Sequence, residues 1–172
     1  VFSADVGSRE QMHQVIVRVE EHFGPVDGIF HAAGDTGDAI HCPLDRVSAS
    51  HFQDQFRARV YGLMVLDQVL QGRKPDFCLV VSSLVSVLAG LGFSAYAAAC
   101  IFMDSFIHER SKRGDFLWIS VNTAEWDFSH REKRVSSLAK EIQRLSMTPE
   151  QGLETFKRIL SHLREHQVII ST

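Results

Sequence analysis

The apolar positions of this chain follow two different periods. In four long segments they recur every three or four residues, which is the spacing of one face of a helix. Short apolar runs of strand length separate these segments, and turn-forming residues bound them. The runs predicted to be strands are 1–6, 26–30, 77–81 and 116–121. Strands that alternate with helices predict an α/β fold, with a parallel sheet covered by helices on both faces.

Local signals at the helix ends support this interpretation. Ser8 and Gln11 are spaced as a capping box before the first helix. Ser94 is the expected N-cap of a helix that Gly114 ends, and Thr148 is the expected N-cap of the last helix, with proline directly after it. The predicted buried face of that last helix consists of Leu153, Phe156, Leu160 and Leu163.

One serine and one tyrosine suggest a chemistry. Ser83 follows the run 77–81, and Tyr96 lies thirteen residues later, just inside the next helix. The carboxyl ends of parallel strands are where open α/β sheets bind ligands, so both groups can reach one carbonyl oxygen there. A phenol that donates a proton and a serine that orients the oxygen suit hydride delivery to a ketone. Taken singly, Ser83 equally suits a loop cap and Tyr96 a packed aromatic.

The surrounding sequence resembles a known family. The matching stretches are 30–34, 82–92, 96–99, 103–106, 118–122, and 147–152 running to 167–172. They resemble the short-chain dehydrogenase/reductase superfamily and, within it, the ketoreductase domains of modular type I polyketide synthases. The resemblance covers essentially all 172 residues. It implies a single partial domain over 1–172, with a Rossmann-like, doubly wound parallel sheet.

The resemblance also implies a site. Tyr96 would protonate the oxygen of a β-ketoacyl thioester carried by an acyl carrier protein, Ser83 would hydrogen-bond that oxygen, and NADPH would supply the hydride. The cofactor-binding residues that it implies are Asp5, Val6, Ala32, Ala33, Gly34 and Asn122. Ordinary roles remain open for three of them, because Asp5, Gly34 and Asn122 all suit turns after strands.

Two positions depart from the family pattern. Arg59 stands where these ketoreductases carry a lysine, and Cys100 stands where they carry an asparagine, four residues after the tyrosine. The lysine lowers the pKa of the phenol and holds the cofactor ribose. Arg59 keeps the charge, but a guanidinium is wider, planar and no proton relay. The two departures favour a non-catalytic module that packs against neighbouring synthase domains, whereas intact Ser83 and Tyr96 favour an enzyme.

The 172 residues contain no Gly-x-Gly-x-x-Gly loop, which in this fold holds the cofactor pyrophosphate. We therefore expect a fragment that lacks the first two strands, binds no NADPH at micromolar concentration and is inactive alone. The strand at 26–30 would then have an unpaired apolar edge. Either the fragment self-associates through that edge, or the segment 1–6 moves to fill it.

Composition excludes several classes of function. The net charge is −3, and neither a basic face nor a charge block is present, which argues against nucleic acid or a membrane surface as partner. No apolar run is long enough to span a bilayer. The three cysteines, Cys42, Cys78 and Cys100, share no metal-ligand spacing and suit reduced thiols, so we expect no metal and a cytoplasmic location.

Overall fold

The computed structural model describes residues 1–34, 40–126, 146–162 and 164–171. Its strands are β1 (Gly28–His31), β2 (Phe77–Ser83), β3 (Leu117–Thr123) and β4 (Gln167–Ile169). Its α-helices are α1 (Arg9–Phe23), α2 (Ala49–Phe56), α3 (Gly62–Val69), α4 (Val85–Leu88), α5 (Ser94–Ser111) and α6 (Pro149–Ser161). A π-helical segment, Arg57–Tyr61, joins α2 to α3.

The four strands form one parallel sheet in the order β1-β2-β3-β4. Residues of β2 and β3 alternate between the two faces, as the strand period requires. Cys78 and Val80 pack on the face that α1, α3 and α5 cover, whereas Leu79 and Ile119 pack on the face that α6 covers. The doubly wound α/β fold expected from the sequence is therefore confirmed.

The helix starts show how local sequence sets the elements. The Ser8 side chain caps α1 by accepting from the backbone nitrogen of Gln11. Thr148 and Gln151 form a complete capping box at α6, with Pro149 at its first turn. The prediction for α5 is one residue off, because Phe93 is the N-cap and Ser94 is already helical.

Two predictions are wrong. Residues 1–6 form no strand, and no described strand pairs with them. An extended segment needs a hydrogen-bonded neighbour to be a stable strand, and residues 1–6 join neither edge strand of this sheet. Leu153, predicted to be buried, is 58% exposed. The neighbouring residue of α6, Gly152, is buried against Trp126 instead, so the helix is rotated from the predicted orientation. Leu163 lies outside the described residues.

None of the helices in the described ranges combines the length and the apolar character that crossing a membrane requires.

Candidate active site

Ser83 is the last residue of β2, at the carboxyl end of the sheet. Its Oγ accepts a hydrogen bond from the backbone nitrogen of Val85 at 3.2 Å. Next to it, the backbone nitrogen of Leu84 donates to the carbonyl of Thr123 in β3 at 3.0 Å. Ser83 is thus held by both its own turn and the neighbouring strand. The residue is only 9% exposed.

Tyr96 is the third residue of α5 and packs beside the core formed by α3, α5 and β2. Its phenol lies beside the Ser83 hydroxyl and the Cys100 thiol, near enough for both groups to change its pKa. The ring of Phe93 lies 6.3 Å from the Tyr96 ring, centroid to centroid, and supports its outer side. The structure therefore brings together the serine and the tyrosine that the sequence spacing paired.

Arg59 belongs to the π-helical segment and is only 5% exposed. Its Nη1 donates to Oε1 of Gln55, one helical turn earlier, at 2.7 Å. Its Cζ lies 4.7 Å from the centroid of the Tyr96 ring, which is a cation–π contact. Single π-helical turns inside α-helices occur often at functional sites, and here the extra residue turns the guanidinium over the phenol.

The environment of Tyr96 raises the pKa of its phenol above the usual 10. Burial is the largest cause, and the Cys100 thiol acts in the same direction. The Ser83 hydroxyl and the charge of Arg59 lower the pKa, but by less. Tyr96 is therefore a protonated phenol at neutral pH, able to donate a proton.

Cys100 lies one helical turn after Tyr96 and is completely buried. Burial raises the pKa of its thiol to about 11, although the charge of Arg59 and the neighbouring Tyr96 and Ser82 hydroxyls oppose that rise. The residue is therefore a neutral thiol inside the site. A thiol is a weak hydrogen-bonding group, so it orients a neighbouring cation less well than an amide would.

Asp5 and Val6, both predicted to contact the cofactor, lie in the segment before α1. The Asp5 carboxylate accepts from Nη2 of Arg57 at 2.6 Å and from the backbone nitrogen of Gly7 at 2.9 Å. The Arg57 hydrogen bond is the main reason that the pKa of Asp5 is lowered. Val6 packs against the start of α3, where a Cβ added to Gly62 would lie 2.9 Å from Val6 Cγ1.

The predicted cofactor residues Ala32, Ala33 and Gly34 are exposed and follow β1 directly. Gly34 lies so close to Arg59 that an added Cβ would be 2.7 Å from the guanidinium Cζ. Only glycine lets this backbone and the guanidinium approach each other so closely. The exposed run of small residues fits a flat ligand group, whereas Gly34 itself is already in contact with Arg59.

Asn122, the remaining predicted cofactor residue, is fully buried in β3. Its Nδ2 lies 2.7 Å from Oδ2 of Asp104 and 2.8 Å from Oγ of Ser86, and its Oδ1 accepts from Nε2 of Gln167 at 3.0 Å. The amide is thus used inside the protein. The cofactor contact of Asn122 stays a prediction.

The sequence reasoning gave no role to Asp104 or Ser86. Asp104 lies two turns after Tyr96 on α5 and is hydrogen-bonded to Ser86, Ser120 and Asn122. A polar residue on the sheet-facing side of an apolar helix was the available signal. It could have been matched to Ser120 and Asn122, two of the three polar residues of β3.

Comparisons with known proteins agree with this arrangement. The sequence model of the family described as "KR domain" matches residues 1–127. Polyketide synthase PksN of Bacillus subtilis (strain 168) is 29% identical over 177 aligned residues, which cover 96% of this chain and 3% of that protein. The compactin diketide synthase mlcB of Penicillium citrinum is 34% identical over 115 residues, covering 66% of this chain and 4% of the synthase.

Solved structures show the same fold. An N-terminal ketoreductase from the macrolactin assembly line superposes with a TM-score of 0.82 at 25% identity, covering 99% of this chain and 33% of that chain. A ketoreductase domain from the bacillaene assembly line gives 0.82 at 24% identity, covering 98% and 41%. The chain thus spans a few per cent of the length of the synthases it resembles and a third or more of these two structures.

Proposed function

Because this chain belongs to the KR domain family of polyketide synthases, we propose that it carries the reactive residues of a ketoreductase. The proposed reaction converts a β-ketoacyl thioester on an acyl carrier protein to the β-hydroxyacyl thioester, with NADPH as reductant. One observation carries the proposal. The Tyr96 phenol contacts the Ser83 hydroxyl and lies under the Arg59 guanidinium, at the carboxyl end of a parallel sheet.

Each side chain has a separate task in this reaction. Ser83 donates a hydrogen bond to the ketone oxygen and fixes its direction. Tyr96 gives its proton to that oxygen as the oxygen gains negative charge. Arg59 stabilises the phenolate that Tyr96 becomes, because its charge favours the ionised form. NADPH, when bound, supplies the hydride that the carbonyl carbon accepts.

The described residues fit one part of that cofactor. Ala32 and Ala33 are exposed and carry small side chains, so a planar group could lie against them. The resemblance adds Asp5 and Val6 to this part of the site. These residues would hold the nucleoside portions of NADPH. No glycine-rich phosphate loop occurs among the 172 residues, so the pyrophosphate would have to be bound by other parts of the synthase.

The acyl carrier protein and the neighbouring synthase domains are the proposed partners. The relatives are large synthases of which this chain covers only 3 to 4%. A substrate bound to a carrier domain must reach Ser83 from the open end of the sheet. The partners therefore belong at the carboxyl ends of β1 and β2.

Ketone reduction by the synthase that contains this chain tests the proposal. We expect Tyr96→Phe to lower the rate by about 100-fold or more, since it removes the proton donor. Tyr61→Phe is the matched control, because Tyr61 is the only other tyrosine and is half exposed. NADPH consumption with a β-ketoacyl thioester gives both rates. Equal rates for the two variants would contradict the proposal.

A second candidate is a ketoreductase-like module without catalysis. The pKa of Tyr96 is raised overall, so the arginine does not offset burial. The guanidinium lies against the face of the ring and against Gly34, and Cys100 offers no amide. These features favour a domain that keeps the ketoreductase fold but has a lower rate of ketone reduction, or none.

The double substitution Arg59→Lys with Cys100→Asn distinguishes the two candidates. A lysine and an amide would restore the family pattern at both positions, and we expect the reduction rate to rise. The rate is measured as above, with Arg57→Lys as a control two residues away on the exposed side. If the double variant is no faster than the unmodified synthase, these positions do not weaken catalysis.

A further inference from the structure

A partly buried cluster of polar side chains lies next to Ser83 and has no part in the function proposed above. We define the carboxylate cluster as Asp104, Ser86, Ser120 and Asn122. Asp104 Oδ2 accepts from Oγ of Ser86 at 2.6 Å and from Nδ2 of Asn122 at 2.7 Å, and Oδ1 accepts from Oγ of Ser120. One carboxylate thus joins α5, the turn after β2, and β3.

The cluster reaches Ser83 through the backbone. The carbonyl oxygen of Ser83 lies 2.9 Å from Oγ of Ser86 and 3.2 Å from Nδ2 of Asn122. A carboxylate only accepts hydrogen bonds, so Asp104 determines where both of these donors stand. With the carboxylate in place, Ser86 and Asn122 are fixed. The Ser86 hydroxyl has one proton, which Asp104 accepts, so the amide of Asn122 supplies the hydrogen bond that holds the Ser83 carbonyl.

Tyr96 is on the same helix as Asp104. Helix α5 is continuous from Ser94 to Ser111, so the distance between the phenol and the carboxylate is set by the helix itself. The carboxylate fixes the turn that carries Ser83 to that helix. The spacing of the Ser83 and Tyr96 hydroxyls therefore depends on Asp104, which acts through Ser86 and Asn122.

We propose that Asp104 is a positioning residue, whose carboxylate holds the turn at 83–86 and Asn122 against α5 and thereby sets the contact between Ser83 and Tyr96. Its importance for catalysis rests on the proposed function, but the contact itself does not. If Asp104 only stabilised the fold, removing its carboxylate would lower stability but would not change the contact between the Ser83 and Tyr96 hydroxyls.

The ionisation of Tyr96 reports on that contact. The neighbouring Ser83 hydroxyl lowers the pKa of Tyr96, so moving that hydroxyl away raises it. Removing the negative charge of Asp104 would act the other way, because fewer negative charges favour the phenolate. The other groups facing the phenol, Cys100 and Arg59, remain in place. An upward shift therefore cannot arise from the lost charge.

The experiment is a titration of the full chain labelled with ¹³Cζ-tyrosine and followed by NMR. The chain has two tyrosines, and Tyr61→Phe assigns the signal of Tyr96. We expect Asp104→Asn to raise the pKa of Tyr96 by about half a pH unit or more. Ser83→Ala should give a similar rise, and the double variant should add nothing to Ser83→Ala, since both changes remove one contact.

Asp67→Asn is the matched control. Asp67 is a mostly buried carboxylate that binds α5 through Arg110, away from Ser83. It should lower stability and leave the Tyr96 titration unchanged. The proposal is overturned if Asp104→Asn leaves the pKa of Tyr96 unchanged or lowers it, if Asp67→Asn raises it equally, or if the effects of Asp104→Asn and Ser83→Ala add fully.

Two further measurements complete the test. If Asp104→Asn does not fold, Ser86→Ala removes the link and keeps the carboxylate. It should shift Tyr96 upward by a smaller amount, and an unchanged titration in folded Ser86→Ala would overturn the proposal. In the synthase, Asp104→Asn should lower kcat more than it changes KM. A synthase without ketone reduction but with the expected titrations would reject the proposed function and retain the positioning role.

Discussion

Polar groups at the carboxyl ends of β2 and β3 satisfy one another in the interior, whereas the edge at β1 leaves apolar groups in solvent. Asn122 and Ser120 are almost completely buried, and each is hydrogen-bonded within the protein. Phe30 in β1 is 51% exposed, although it contacts Phe77 and Phe156 at its base. On its outer side, β1 has no strand partner among the described residues.

The difference shows which region finds the partners for its side chains within the chain. Buried polar groups are costly unless they are paired, and here the pairing is supplied by β2, β3 and α5. An exposed apolar edge strand has unpaired backbone groups and apolar side chains in water, so it favours contact with another strand. Contacts within the chain thus stabilise the carboxyl ends of β2 and β3, whereas the outer edge of β1 can still bind a further strand.

The largest expected effect concerns stability in the two regions. Leu79 in β2 is completely buried, so Leu79→Ala should lower the free energy of unfolding by about 2–5 kcal/mol. Phe30→Ala at the edge should cost about 1 kcal/mol or less, because half of the ring is already in water. Denaturant unfolding of the chain measures both. Equal losses would mean that the edge is as well packed as the centre.

A second prediction is that the chain self-associates through the β1 edge. Residues 1–6 pair with no described strand, so they do not fill that edge, which was the other option from the sequence. We expect Phe30→Lys to shift the chain toward monomer, since charge opposes edge pairing. Sedimentation at several concentrations gives the assembly state. Exposed Phe23→Lys, on the last turn of α1, is the control. Unmodified chain that stays monomeric at every concentration would contradict the prediction.

The smallest expected effect lies where the two regions meet. Gly34 follows β1, and a methyl group there would collide with the Arg59 guanidinium. Gly34→Ala should move Arg59 away from the phenol, which removes a charge that lowers the pKa of Tyr96. We expect that pKa to rise by a few tenths of a unit in the same NMR titration, with Ala33→Ser as control. A titration curve unaffected by Gly34→Ala would show that the guanidinium can adjust without losing its contact.

Some of this molecule could be predicted from sequence alone. The alternation of periods predicted the α/β fold, and the capping residues Ser8 and Thr148 predicted helix starts, because both signals act over a few neighbouring residues. The pairing of Ser83 with Tyr96 followed from one strand, one turn and one helix. Because these three elements follow one another directly, their order predicts that the two residues meet at one end of the sheet.

Tertiary structure alone decided the rest. The strand predicted at 1–6 is absent because a strand depends on its neighbour, and Leu153 is exposed because helix rotation depends on the sheet beneath it. The position of Arg59 over Tyr96 depends on a π-helical segment and on the space at Gly34. Asp104 gained its role only from the convergence of α5, β2 and β3. Contacts between residues distant in sequence set these features, and no local pattern records them.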